Sequence, residues 1–403
     1  MNQALERNLS EMGSIELSVA ELRARPGIKW HHYADDVLPA WIAEMDFGIP
    51  EPIHAVLRRI VGEGAYGYED PSLYPSLAEA FAAYMHDRYA WSVSPELTLP
   101  VADLVQAQFT TVAAFTEPGE KVILQTPIYP PFINSVREMG RQMVEHPLLD
   151  DGTRYVLDTA SLLKLVDAST RLLMLCNPHN PTGRVFERRE LEAIAQLAID
   201  RQLVVLADEV HADLAFPGNV HIPFASLAPE VAERTITITS ATKAYNIPGL
   251  RCGIMHFGSA ALRTRFSSRL PERLRGKVNR FGVEATVAAW RAPECGAWLE
   301  RVMQLLERNR DRLGRFLAAE LPAVRYYSPD ASYLAWLDCR ALDLPVSPQQ
   351  FLLEKARVAL TDGTEFGAPG RGHVRLNFGT SEQILDELLD RMAESMRVSQ
   401  PAA

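Results

Sequence analysis

A lysine closes a run of β-branched and small residues in TITITSATK, and an arginine follows eight positions later in AYNIPGLRCG. An amine at the mouth of a strand can act as a nucleophile or a base once its charge is disfavoured. Around that lysine, Lys243, the hydroxyls of Ser240 and Thr242 and the guanidinium of Arg251 make a donor set for an anion, the arginine in a bidentate way. Three other apolar runs also end in polar residues: LVVLADEVH in Asp208, Glu209 and His211, RLLMLCNPHNPTG in Asn177 and Asn180, and VILQTPIY in Tyr129. Singly, each has an ordinary explanation. A carboxylate after a strand caps a helix, NPTG makes a turn, and most lysines are solvated. Ligands of open α/β sheets sit at the carboxyl ends of the strands. A lysine, an aspartate, an asparagine and an aromatic gathered on that one edge are far less expected by chance.

The set matches the needs of pyridoxal phosphate. That cofactor requires an amine for its aldehyde, a carboxylate to keep its ring nitrogen protonated, a donor for its phenolic oxygen, an aromatic face and phosphate ligands. Lys243 supplies the amine and Asp208 the counter-charge. Asn180 reaches the ring oxygen with His211 nearby, Tyr129 stacks on the ring, and Ser240, Thr242 and Arg251 hold the phosphate.

The elements that must position these residues follow from periodicity. Apolar runs of strand length alternate with amphipathic helices such as EPIHAVLRRIVGEG, SLAEAFAAYMHDRY and ELEAIAQLAIDRQ. That rhythm predicts an α/β fold whose parallel sheet is buried on both faces. Near residue 291 it changes: a long helix over ECGAWLERVMQLLERNRDRLGRFLAAEL leads to YLAWLDCR, HVRLNF and a closing helix, a smaller α+β unit. The expected organisation is an arm over residues 1–47, a large domain over 48–290 and a small domain over 291–403 that the arm joins.

Composition narrows the function classes. A net charge of −10 over 403 residues argues against a polyanionic partner, and no helix-turn-helix pattern precedes the arm. Nucleic acid and membrane are therefore not expected as partners, and no run of about eighteen apolar residues occurs. The N-terminal residues lack the apolar stretch of a secretory signal. The four cysteines, Cys176, Cys252, Cys295 and Cys339, show no metal-ligand spacing and read as buried thiols of a cytoplasmic protein.

Taken together, NPHNPTG, ADEVHADL, SATKAYNIPGLRCG and GHVRLNFG resemble the fold-type I, class I/II aminotransferase superfamily. KWHHYADDVLPAWIAEMDFGIPEPI, GAYGYED, TPIYPPF and YLAWLDCR are similar to its MalY/PatB branch, the cystathionine β-lyase-type C–S lyases. The likeness runs from about Lys29 to the last helix. It implies a large domain with a mostly parallel seven-stranded sheet, pyridoxal phosphate as cofactor, and a homodimer with active sites at the subunit interface. It implies further that Tyr68 reaches the phosphate of the partner's cofactor and that Arg375 grips the substrate α-carboxylate, with Asn180 and Tyr68 also at the substrate. Tyr129 joins Lys243 among the catalytic residues. The phosphate-cup helix of this branch usually begins with a glycine; here LPVADLVQAQF places the amides of Leu104 and Val105 there, with Asp103 beside them. Arg280, in a stretch resembling the partner-facing mouth of the site, reads either as a contact for an acidic substrate tail or as a surface ion pair.

The implied reaction is elimination from an L-cysteine S-conjugate, giving thiol, pyruvate and ammonia. An aminotransferase would use the same residues, and relatives acting on bulky S-conjugates in natural-product pathways leave open a decarboxylating oxidative deamination. His211, where many aminotransferases carry a tyrosine, and the lyase-like arm favour elimination.

Overall fold

The computed structural model describes residues 15–64, 66–68, 70 and 72–399. The strands of the central sheet alternate their side chains between two cores, which is why they read as unbroken apolar runs. In Thr170–Cys176 and Val204–Asp208, residues Leu172, Met174, Val204 and Leu206 enter one buried cluster, while Leu173, Leu175, Val205 and Ala207 enter another. The first face is covered by the helices Leu104–Phe115, Pro130–Glu138 and Ala260–Arg269; the second is covered by Arg188–Asp200 and Thr159–Leu165. Burial of each Val, Leu or Ile contributes about 1.5–3 kcal/mol, so these two layers hold the central sheet firmly.

Seven strands form this sheet, in the spatial order Thr98–Val101, Gly253–Phe257, Thr235–Thr239, Val204–Asp208, Thr170–Cys176, Lys121–Thr126 and Gln142–Pro147. The four strands from Thr235–Thr239 to Lys121–Thr126 run parallel, as does the edge strand Gln142–Pro147. Gly253–Phe257 is antiparallel to both neighbours, so the sheet is mostly parallel, as the resemblance implied. The cause is its connection: residues 240–252 contain only a short 3₁₀ turn, and a parallel return needs a longer crossover.

The helix Pro293–Glu320 leads to a second, antiparallel sheet of Arg325–Tyr326, Leu334–Asp338, His373–Asn377 and Thr361–Asp362. The N-terminal segment lies against this sheet's surroundings: Leu38–Pro39 pairs in parallel with Val358–Ala359, and the Asn377 amide donates to the Ala40 carbonyl at 2.9 Å. All four cysteines are buried and free. Among the described residues no helix is long and apolar enough to cross a membrane.

Candidate active site

Strand register delivers the first acid. Asp208 ends its strand opposite Cys176 and Ile238, on the same face as Val204 and Leu206. The helix Leu104–Phe115 covers that face, and its Gln108 donates from Nε2 to Asp208 Oδ2 at 3.1 Å, while the Val210 amide lies 3.2 Å from Oδ1. No ion pair reaches this carboxylate among the described residues, and burial pushes it up to about 7. A buried carboxylate of this kind is poised for a cation.

Lys243 follows the neighbouring strand. Its Nζ donates to the Ala43 carbonyl at 2.9 Å, and the Tyr333 hydroxyl donates to the same oxygen at 3.1 Å. Burial, then Arg375, brings the amine down to about 8, with Glu44 and Asp208 pulling the other way. His211 is buried beside them with Nδ1 3.2 Å from Ser332 Oγ; burial, Lys243 and Arg375 push it down to about 3, so it is neutral.

Asn180 sits in the turn after Thr170–Cys176. That turn needs Gly183 at positive φ, where a Cβ would fall 2.3 Å from the Pro329 side chain. The Ala331 amide donates to the Gly183 carbonyl at 3.0 Å, so the turn is tied to the chain entering the second sheet. Across this junction Arg375 donates from Nη1 to Asn180 Oδ1 at 3.1 Å and from Nη2 to the Trp41 carbonyl at 3.0 Å. The Phe366 ring lies 5.0 Å from its guanidinium carbon. Burial brings this arginine down to about 10, and its Nε is buried with no acceptor. Tyr129 precedes Pro130–Glu138; its amide donates to the Asn180 carbonyl at 3.1 Å, and burial raises its hydroxyl above the usual range.

The structure thus brings together Lys243, Asp208, His211, Asn180, Tyr129 and Arg375. The anion end is more open. Asp103 is the N-cap of Leu104–Phe115, accepting the Gln106 amide at 2.8 Å, which gives that acid a structural role. Among the described residues the amides of Leu104 and Val105 have no acceptor, as expected of the first turn. Arg251 is largely exposed, its Nη1 3.5 Å from Asp103 Oδ2. Ser240 Oγ lies 2.6 Å from the Cys252 carbonyl and accepts the Thr242 amide at 3.1 Å, so its single proton is engaged within the loop. Tyr68 is fully exposed and lines a shallow recess with Asp70, Leu73 and Arg280, away from the other site residues. Arg280 pairs with Glu284 and, at 3.0 Å, with Glu63, the surface ion pair of its two expected roles.

Sequence reasoning missed Gln108, Tyr333 and the carbonyls of Trp41 and Ala43. Gln108 falls one turn after the capped helix start and could have been placed on the Asp208 face; the carbonyls carry no signal of residue type. The fit to pyridoxal phosphate rests on the uncompensated buried carboxylate of Asp208, the buried amine of Lys243 and the unpartnered Nε of Arg375. Among the described residues no cluster of His, Cys, Asp or Glu could hold a metal ion.

Residues 35–392 match the family described as aminotransferase class I and II, and the chain belongs to it. It is 37% identical over 376 residues to the cystathionine β-lyase PatB of Bacillus subtilis, covering 92% of this chain and 96% of that one. Among solved structures it is similar to OvoB, with 35% identity and a TM-score of 0.90 over 96% of this chain and 100% of the other. The PLP-bound C–S lyase of Staphylococcus hominis aligns with a TM-score of 0.89 at 27% identity, over 96% of this chain and 100% of that one.

Proposed function

We propose that this protein is a pyridoxal-phosphate-dependent C–S β-lyase that cleaves L-cysteine S-conjugates to thiol, pyruvate and ammonia, working as a homodimer with shared sites. The observation that carries the reading is the trio of a buried amine near pKa 8, a buried carboxylate without a cation and a buried guanidinium with a free N–H. The likeness to PatB and to the C–S lyase selects the reaction from those the trio permits. The dimer is supported by exposed aromatic and aliphatic side chains at Val61, Tyr66, Tyr68 and Leu274.

When bound, the cofactor supplies a cationic conjugated ring that draws off the electron pair left on the substrate Cα. Asp208, kept oriented by Gln108, would hold a proton on the ring nitrogen. Asn180 and Tyr129 would hold the ring's oxygen and face. Arg375 takes the α-carboxylate, offering Nε. It keeps Nη2 on Trp41, so the α-hydrogen is presented to the lysine. Lys243 Nζ, whose charged form burial disfavours, would accept that proton in its neutral form, and the thiolate would leave the β-carbon. Leu104, Val105, Thr242 and Arg251 cradle the phosphate, completed by Tyr68 of the partner.

Product analysis tests the reaction. With a cysteine S-conjugate, thiol, pyruvate and ammonia should appear in equal amounts without an added keto acid. Conversion of the cofactor to its aminated form without thiol release would make the protein an aminotransferase; an aldehyde with CO2 would make it a decarboxylating enzyme. Arg375→Ala should weaken turnover about ten- to a hundredfold, the scale of one charge-assisted pair worth about 1.5–3 kcal/mol.

A further inference from the structure

The stretch from Trp41 to Phe47 crosses between the two sheets, and side chains from both grip its backbone. From the second sheet, Asn377 donates from Nδ2 to the carbonyls of Ile42 and Glu44, each at 2.7 Å. From the loop after Lys243, Asn246 donates from Nδ2 to the carbonyls of Met45 and Phe47, each at 2.9 Å, and accepts the Met45 amide at 2.9 Å on Oδ1. The carbonyls of Trp41 and Ala43 take the functional groups themselves, Arg375 and Lys243. One short strap therefore carries the acceptors for both ends of an α-amino acid's binding machinery, and each sheet anchors it through an asparagine two or three positions beyond its own functional residue. Asn246 holds a left-handed backbone, φ 55°, which asparagine tolerates better than most residues.

We propose that Asn246 is a positioning residue: its three hydrogen bonds to Met45 and Phe47 hold the Ala43 carbonyl on Lys243 and the Trp41 carbonyl on Arg375. It touches neither substrate nor cofactor and acts through the strap. Without it the strap keeps its anchors to Asn377, Gly379 and Lys29 but loses the one that ties it to the loop after Lys243, so water gains access to the lysine and the guanidinium's neighbour is less firmly held. The claim does not depend on which reaction follows, since elimination and transamination need the same amine and guanidinium.

Asn246→Gly is the variant of choice, because glycine accepts the positive φ and only the clamp is lost. In the loaded enzyme, KM for the S-conjugate should rise about ten- to a hundredfold, the scale of two or three hydrogen bonds, with kcat falling less. The second readout is free of turnover: the pH midpoint for acylation of Lys243 in cofactor-stripped protein, followed by mass spectrometry. Lys243 faces Asp208 and His211 from the first sheet, Glu44 from the strap and Arg375 from the second. Burial is the largest influence holding it near 8, so hydration should move the midpoint up toward 10.5. Asp36→Ala, which removes an exposed pair with Arg357 on the same N-terminal segment, is the control for general loosening and should leave both readouts unchanged. If Asn246→Gly fails to fold, Asn246→Asp keeps the Oδ1 acceptor, loses both donors and carries the same test. A lower Tm with KM and midpoint unchanged would overturn the proposal, as would equal shifts in Asp36→Ala.

Discussion

The two ends of the candidate site are built differently. At the inner end, Asp208, His211 and Arg375 are buried and Lys243 is half-buried, and each has a neighbour from the same chain at hydrogen-bonding distance. At the outer end, Tyr68 is fully exposed, Arg251 is largely so, and the first amides of Leu104–Phe115 have no acceptor among the described residues. The inner end bears the desolvation cost of its charges in advance, which is how a lysine becomes a base at neutral pH. The outer end offers donors that an anion and a second subunit would satisfy. Chemistry is preorganised within one chain, whereas the proposed dimer would complete the anchoring from outside it.

The hardest test of that contrast is Lys243→Ala. Turnover should fall roughly 10⁴- to 10⁶-fold, the scale for losing a group that is both covalent anchor and base, and the visible absorbance of bound cofactor should disappear. A folded variant that keeps its absorbance after borohydride treatment would place the anchor at another lysine. A middle-sized effect separates the ends. Tyr68→Phe alone should weaken cofactor retention about tenfold, one hydrogen bond to a charged group. Mixed equally with Lys243→Ala subunits, it should restore about a quarter of the sites, because both lesions fall in one site of each mixed dimer. Confirmed mixed dimers without recovered activity would return the tyrosine to its own chain.

The smallest effect is on stability. In cofactor-stripped protein the folded chain keeps a proton on Asp208 up to about pH 7, whereas an ordinary carboxyl loses it near 3.8. That group's contribution is intact below this window, declines through it and is gone above it, by at most about 1.4 kcal/mol per pH unit. Lys243, lowered from 10.5 to about 8, acts oppositely: its contribution rises with pH between those values. Melting of stripped wild type and Asp208→Asn should therefore diverge between pH 5 and 7, wild type losing ground as pH rises. A constant gap would show that the carboxylate is already compensated.

The inner end was the more legible in the sequence, because an apolar run that ends in a polar residue marks both a buried strand and its ligand-facing tip. Asp208, Lys243 and Asn180 declared themselves in this way. Arg375 did not; it lies within its strand, and only the resemblance singled it out. The strap was invisible for a different reason: backbone carbonyls have no letter, and apart from Lys29 the side chains that bind them come from residues about 200 to 335 positions away. The reversed strand Gly253–Phe257 was hidden by its connection, since the direction of a short apolar run follows from the loop before it. Arg280 left two readings open in the sequence, because its ion-pair partner Glu63 lies 217 positions earlier.

The pairing of the first segment with the last third of the chain also sets an order of events during synthesis. Thr361 donates to the Trp41 carbonyl from 320 residues downstream, and Leu38–Pro39 has its strand partner only at Val358–Ala359. At about 5–20 residues per second, tens of seconds separate the emergence of the two halves of that contact. The central sheet can be complete on the ribosome, with Asn246 already on the strap, before the anchors of the second sheet exist. Completion of the site therefore waits for the last third of the chain.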